Sequence, residues 1–206
     1  MKKSGFRSGK NPLNLFNKWF KKAQSSGLKL PEAVVLSTAA KSGQPSSRLV
    51  LCKEVTTDGN FIFYTNYESR KGRELLENPR AALVFYWSAL DLQIRIEGKV
   101  KKVSRQKSLE YFRSRPLGSQ ISAWISPQSK IVSKGRNWNG RKQMLKACEN
   151  FGILIRKDKI FCPPFWGGFA VKAHQIEFWM NDPKRLHFRI VYKKIKNKWK
   201  TFEVAP

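Results

Sequence analysis

Short apolar segments rich in β-branched and aromatic residues, separated by turn residues, occupy most of this 206-residue chain. That spacing constrains the fold more than any other feature. Ala33–Ala40 reads as a strand, closed by the turn Ser42-Gly43-Gln44-Pro45. Arg48–Val55 reads as a second strand and Phe61–Thr65 as a third, joined across Asp58-Gly59, a strong hairpin dipeptide. Ala81–Trp87 and Leu92–Val103 form a second hairpin pattern. In the latter, Ile94, Ile96 and Gly98 alternate with Arg95, Glu97 and Lys99, as in a strand with one wet face. The C-terminal part returns to strands at Gly168–Val171, Gln175–Trp179, His187–Tyr192 and Trp199–Val204.

Helical patterns interrupt this series. Leu13, Phe16, Phe20 and Ala23 recur at helical spacing after Pro12, a first-turn residue, and stop at Gly27. Residues 1–11, rich in Lys, Ser and Gly, read as a flexible arm, and 12–206 as one domain. Ser69 is placed to cap a helix ending before Pro79, and further helices are expected over Arg105–Ser114 and Asn137–Asn150. Many short strands in hairpins with interspersed helices predict a mainly β, α+β fold. A barrel carrying helices fits that pattern, and an alternating parallel sheet does not.

The charge is extreme: 41 Lys+Arg against 14 Asp+Glu give +27. Such a balance favours encounters with polyanions, phosphorylated small molecules included. The cations are spread along the whole chain, densest at Lys193–Lys200, which argues for a solvated basic surface and against a dedicated nucleic-acid tail. Three cysteines, Cys52, Cys148 and Cys162, make no CxxC pair and indicate a reducing compartment. No apolar run approaches the ~20 residues of a membrane span, so a cytoplasmic protein is expected.

The usual motifs of nucleotide hydrolysis, dinucleotide binding, zinc proteolysis and serine hydrolysis are absent. What remains is a set of basic and hydroxyl residues at strand ends and helix starts. Arg48 and Lys53 are expected at the two ends of one strand, on opposite faces. Thr65 ends a strand, and Ser69-Arg70-Lys71 opens a helix, whose free N–H groups and dipole suit an anion as well as an ordinary cap. Tyr111, Arg115 and Ser119 add donors of the kind that grip phosphate, although a plain helix end would look the same.

Taken in order, several segments resemble the pyridoxine/pyridoxamine 5′-phosphate oxidase family. They are Arg48-Leu49-Val50-Leu51-Cys52-Lys53, Phe63-Tyr64-Thr65-Asn66 with Ser69-Arg70-Lys71, and Gln93–Gly98. The series continues through Tyr111–Pro116, Ser119-Gln120, Gln128-Ser129, Phe165–Gly168, Glu177-Phe178-Trp179 and Arg185-Leu186-His187. The resemblance implies a split β-barrel that binds FMN and works as a homodimer with each flavin site built from both subunits. It places Arg48, Leu49, Val50, Leu51, Cys52, Lys53, Tyr64, Thr65, Arg70, Lys71, Gln93, Gln128, Ser129, Trp179 and Arg189 at flavin-binding positions. Lys53, Tyr111, Arg115 and Ser119 fall where the family holds the substrate phosphate, and Arg185, Leu186 and His187 against the pyridine ring, with Arg185 and His187 catalytic.

The implied reaction oxidises pyridoxamine or pyridoxine 5′-phosphate to the aldehyde, with hydride passing to the flavin and dioxygen as final acceptor, giving hydrogen peroxide. The chain departs from the family pattern in its arm, Phe6–Lys10, and at Phe188. Two other readings stand beside this one: a related split-barrel flavoprotein with another substrate, and a non-enzymatic basic protein that binds pyridoxal phosphate or nucleic acid.

Overall fold

The computed structural model describes residues 9–132, 139–154 and 160–206. Most of the arm, the start of the helix expected from Asn137, and the departures at Phe6 and Arg7 lie outside the described residues. The elements run α1 Pro12–Gln24, β1 Ala33–Ala39, β2 Pro45–Leu51, β3 Glu54–Val55, β4 Asn60–Asn66, α2 Arg70–Glu77, β5 Arg80–Trp87 and β6 Leu92–Lys102. They continue as α3 Arg105–Ser114, α4 Leu117–Ile125, α5 Gly140–Leu154, β7 Trp166–Met180, β8 Phe188–Ile195 and β9 Lys198–Glu203. The fold is α+β, as the strand pattern predicts.

Local chemistry sets the element starts. Asn11 caps α1, its side chain accepting from Leu13 N–H, and Pro12 occupies the first turn. Ser69 caps α2 by accepting from Gly72 N–H. The buried face of α1 then packs on the sheet, with the Phe16 ring centroid 5.1 Å from Phe61 and 5.3 Å from Phe85. Burying such aromatic side chains is the largest favourable term in a core of this kind.

The antiparallel sheet has the order β2-β1-β5-β6-β7-β4-β3, with β8 added to β7 and β9 to β8. β2 and β3 are neighbours in sequence yet stand at opposite ends of that order, so the sheet has to curl. The link between them is where it does so. Cys52 N–H still donates to Glu32 O beside β1, whereas Lys53 N–H donates to Ile62 O on β4. The single strand expected over Arg48–Val55 is therefore two short ones. Lys53 lies beyond β2, and its expected placement on the opposite face of one strand from Arg48 is corrected by this transfer between edges.

β7 is also longer than expected. The two segments predicted at Gly168–Val171 and Gln175–Trp179 are one strand, bent by a bulge. Glu97 pairs with Gln175 and Gly98 with Ala173, which leaves His174 as the extra residue. A Cβ on Gly98 would stand 2.5 Å from Lys172 O, so only glycine lets β6 approach here. The first half of β7 pairs with β4 and the second half with β8. The strand-and-turn pattern did not predict α4.

Candidate active site

A cavity of about 480 Å³ opens where β2 ends, β4 ends and α3 meets α4. Leu49, Val50, Leu51 and Lys53 form one wall, Tyr64, Thr65 and Lys71 a second, and Tyr111, Arg115, Ser119 and Gln128 a third. Residues far apart in sequence thus share one space. The cavity also takes in Asn66, Pro116, Ser122, Ala123, Ser126 and Trp166, which the sequence reading did not single out as site residues.

Lys71 is the buried cation of this site, 6% exposed. Its Nζ donates to Thr65 Oγ1 at 3.1 Å and to Ser69 Oγ at 2.8 Å, so both near partners are neutral hydroxyls. Burial, then the adjacent Arg48 charge, push its pKa down to about 8 against the pull of Glu74. An ammonium held this way gains from an arriving anion, because that anion offsets the cost of burying it.

Arg115 forms the second anchor. Its guanidinium lies over the Trp166 ring at 4.6 Å, and its Nη1 is buried with no hydrogen-bond partner among the described residues. An orphaned buried donor on a charged group is costly unless a ligand completes it. Tyr111 stacks on Tyr64 with ring centroids 3.9 Å apart, and Tyr64 on Trp166 at 5.6 Å, which gives the cavity a flat aromatic side. Burial raises Tyr64 to about 12, so its hydroxyl stays protonated at neutral pH. Lys53 also reaches Glu32, at 3.5 Å.

Behind this wall sits a cluster of charges. Arg48 and Arg70 both pair with Glu74, at 3.3 and 2.9 Å. Arg48, Arg70 and Ser129 do not line the cavity, and Cys52 faces a neighbouring one of about 420 Å³. Burial pushes the Cys52 thiol up to about 12, which leaves it unreactive.

The other predicted residues gather elsewhere. Gln93 pairs with Trp179 across β6 and β7, and Trp179 with Arg189 across β7 and β8. The Trp179 and His187 rings are 4.6 Å apart. Arg189 Nε donates to the buried Glu177 at 2.8 Å, and Arg95 reaches the same carboxylate at 3.2 Å. Asp182 N–H donates to His187 Nδ1 at 3.2 Å. Arg185, in the left-handed region with φ 61°, and Leu186, 65% exposed, complete the turn. None of these residues lines the cavity in the single chain.

Comparison with known proteins decides what this arrangement belongs to. Residues 20–147 match the family model described as pyridoxamine 5′-phosphate oxidase, and residues 166–206 match the pyridoxine 5′-phosphate oxidase C-terminal dimerisation region. The chain belongs to the pyridoxamine 5′-phosphate oxidase family. It is 43% identical to the pyridoxine/pyridoxamine 5′-phosphate oxidase of Dichelobacter nodosus over 95% of its own length and 89% of that protein. The oxidase of the same name from Burkholderia thailandensis is 43% identical over the same shares.

Among solved structures, PhzG from Burkholderia lata, in complex with tetrahydrophenazine-1-carboxylic acid, superposes with a TM-score of 0.87 at 26% identity, covering 100% of this chain and 98% of that one. An FMN-binding protein related to pyridoxamine 5′-phosphate oxidase, from Nostoc punctiforme, shares the fold with a TM-score of 0.73 at 16% identity, over 94% of this chain and 96% of that one. Lys53, Tyr64, Thr65, Lys71, Tyr111, Arg115 and Ser119, expected from sequence, line this cavity, whereas the cavity hydroxyls Ser122 and Ser126, and Glu74, Thr38 and Ser46 behind it, were not expected. The spacing of Glu74 four residues after Arg70 was the available signal.

Proposed function

We propose that this chain is an FMN-dependent oxidase that converts pyridoxamine or pyridoxine 5′-phosphate to pyridoxal 5′-phosphate with dioxygen as acceptor. One observation carries the reading: a single cavity presents two separate anion anchors, Lys71 and Arg115, beside a flat aromatic wall. A flavin nucleotide and a phosphorylated ring need two such anchors, and Lys71 and the orphaned Arg115 donor fit them.

On this reading Lys71, the Thr65 and Ser69 hydroxyls and the first turn of α2 hold the flavin phosphate. Arg115, with Lys53, Tyr111 and Ser119, holds the phosphate of the vitamer. Bound FMN would supply the hydride acceptor and pass the electrons on to dioxygen, releasing hydrogen peroxide. The protein contributes placement. Two fixed phosphates restrict how the vitamer ring can lie, and such orientation is worth several kcal/mol of barrier, up to roughly 7–11. Because His187 Nδ1 accepts from Asp182, the neutral imidazole carries its proton on Nε2 and offers it as a donor toward the ring oxygen. Arg185 covers the exposed face of the ring.

The division of predicted residues into two groups supports a homodimer in which Gln93, Trp179, Arg185, His187 and Arg189 of one copy complete the cavity of the other. The match of β7–β9 to a dimerisation region supports the same arrangement.

The test is a visible spectrum of the purified protein, repeated without air after pyridoxamine 5′-phosphate is added. A flavin band that bleaches and returns with oxygen is expected; a colourless protein that cannot be loaded with FMN would overturn the reading. The likeness to PhzG favours a second reading, a related oxidase acting on a cyclic carboxylic acid. Bleaching by such an acid and not by the phosphorylated vitamer would select it.

A further inference from the structure

Glu74 lies behind the cavity, its side chain 7% exposed, and both of its oxygens accept hydrogen bonds. Oε1 accepts from Arg70 Nε at 2.9 Å. Oε2 accepts from Thr38, from Ser46 at 2.6 Å and from Arg48 Nη2 at 3.3 Å. Burial pushes its carboxyl up, but the hydrogen bonds from Ser46, Thr38 and Arg70 outweigh that and hold it at about 2, so it is a carboxylate at any working pH.

The two arginines are used differently. Arg48 spends its terminal nitrogens inside the protein, on Leu36 O, Thr38, Ser46 and Glu74. Arg70 is clamped through Nε alone, and its two terminal nitrogens have no partner among the described residues. A guanidinium held by Nε presents those nitrogens as a fixed fork, the geometry that matches phosphate. Arg70 does not itself line the cavity but directly precedes Lys71, the cation that does. Three cations (Arg48, Arg70, Lys71) and one carboxylate (Glu74) leave this cluster at +2, the charge that a phosphate monoester dianion neutralises.

We propose that Glu74 is a positioning residue that orients Arg70, and backs Arg48, so that flavin binding depends on the terminal phosphate. The inference rests on the flavin reading given above and adds to it what sets selectivity for the phosphorylated flavin. An amide at this position has one acceptor oxygen in place of two. Its NH2 would have to face either Arg70 or Arg48, both obligate donors. The fork would then lose its support while the isoalloxazine contacts stay untouched.

The experiment measures dissociation constants for FMN and for riboflavin, by flavin fluorescence quenching, in the full chain and in its Glu74→Gln and Glu74→Asp variants. Glu74→Gln is expected to weaken FMN about tenfold or more, with riboflavin changed less than about twofold. Glu74→Asp, which keeps the charge on a shorter stem, is expected to fall between. Equal weakening of both flavins would show a merely structural role, and no weakening would show none; either overturns the proposal. Failure of the unsubstituted chain to prefer FMN over riboflavin would instead overturn the flavin phosphate site itself.

Discussion

Lys71 and Arg115 can be tested separately, because the proposed function gives them different ligands. Lys71 has its pKa lowered to about 8, so the free protein loses this charge as pH rises through that value. A bound phosphate favours the protonated form. The phosphate's own second pKa, about 6, keeps it a dianion above that pH. FMN affinity should therefore be constant from pH 7 down to the phosphate transition and fall as pH rises above about 8. A titration series across this range checks it, and Lys71→Met should both weaken binding and remove the upper transition. Arg115 has the opposite assignment. Arg115→Met removes a charged hydrogen-bonding group worth about 1.5–3 kcal/mol, so KM for the phosphorylated substrate should rise about 10- to 100-fold with FMN retention unchanged. Arg115→Lys should rescue little, since an ammonium replaces neither the fork nor the stack on Trp166.

At the scale of the element, α2 is the part whose seat matters most. Gly72 lies in its first turn, where a Cβ would stand 2.2 Å from Tyr67 O, a backbone atom with no room to yield. Gly72→Ala should cost about 1–3 kcal/mol and displace Ser69 and Lys71 with it, lowering both melting temperature and FMN affinity. Gly118 in α4 has nothing within 4 Å, so Gly118→Ala is the matched control and should leave stability equal or raise it by roughly 0.5–1 kcal/mol. Thermal melts of the two variants separate these outcomes. The same contrast explains which elements could be read from sequence. α1 and α2 were legible because Pro12 and Ser69 act within a few residues of themselves. The Asp58-Gly59 hairpin was legible for the same reason, and Gly59 takes the positive φ, 89°, that such a turn needs. The break at Cys52-Lys53 and the bulge at His174 were not, since each depends on which distant strand is the partner. α4 was missed although Leu117, Ile121 and Trp124 follow helical spacing. Its hydroxyl-rich start reads equally well as a loop of phosphate donors.

For the whole molecule, the outer face of the sheet is the feature that a single chain leaves unexplained. Leu49, Val35, Val84, Arg95, Glu177 and Val191 are registered in one row across β2, β1, β5, β6, β7 and β8. Leu49 is 70% exposed and Tyr86, on the same face of β5, 59%, while Glu177 is buried between two arginines. Sequence chemistry picked out candidate anion ligands one by one. That they fall into two groups came only with the fold, because nothing in the hydrophobic pattern distinguishes a cavity wall from a face awaiting a second copy. A dimer that shares its sites makes a quantitative prediction. Lys71→Ala and Arg189→Ala are each expected to abolish most turnover. If Lys71 of one copy works with Arg189 of the other, a mixed dimer holds one doubly damaged site and one intact site. Random reassembly makes half of the dimers mixed, so the mixture should regain about a quarter of the unsubstituted activity. If each chain builds its site alone, every site carries one defect and mixing restores nothing. Coexpression of the two variants on separately tagged chains, with activity measured on the doubly purified fraction, distinguishes the cases: about half of full activity per dimer for shared sites, and none for private ones.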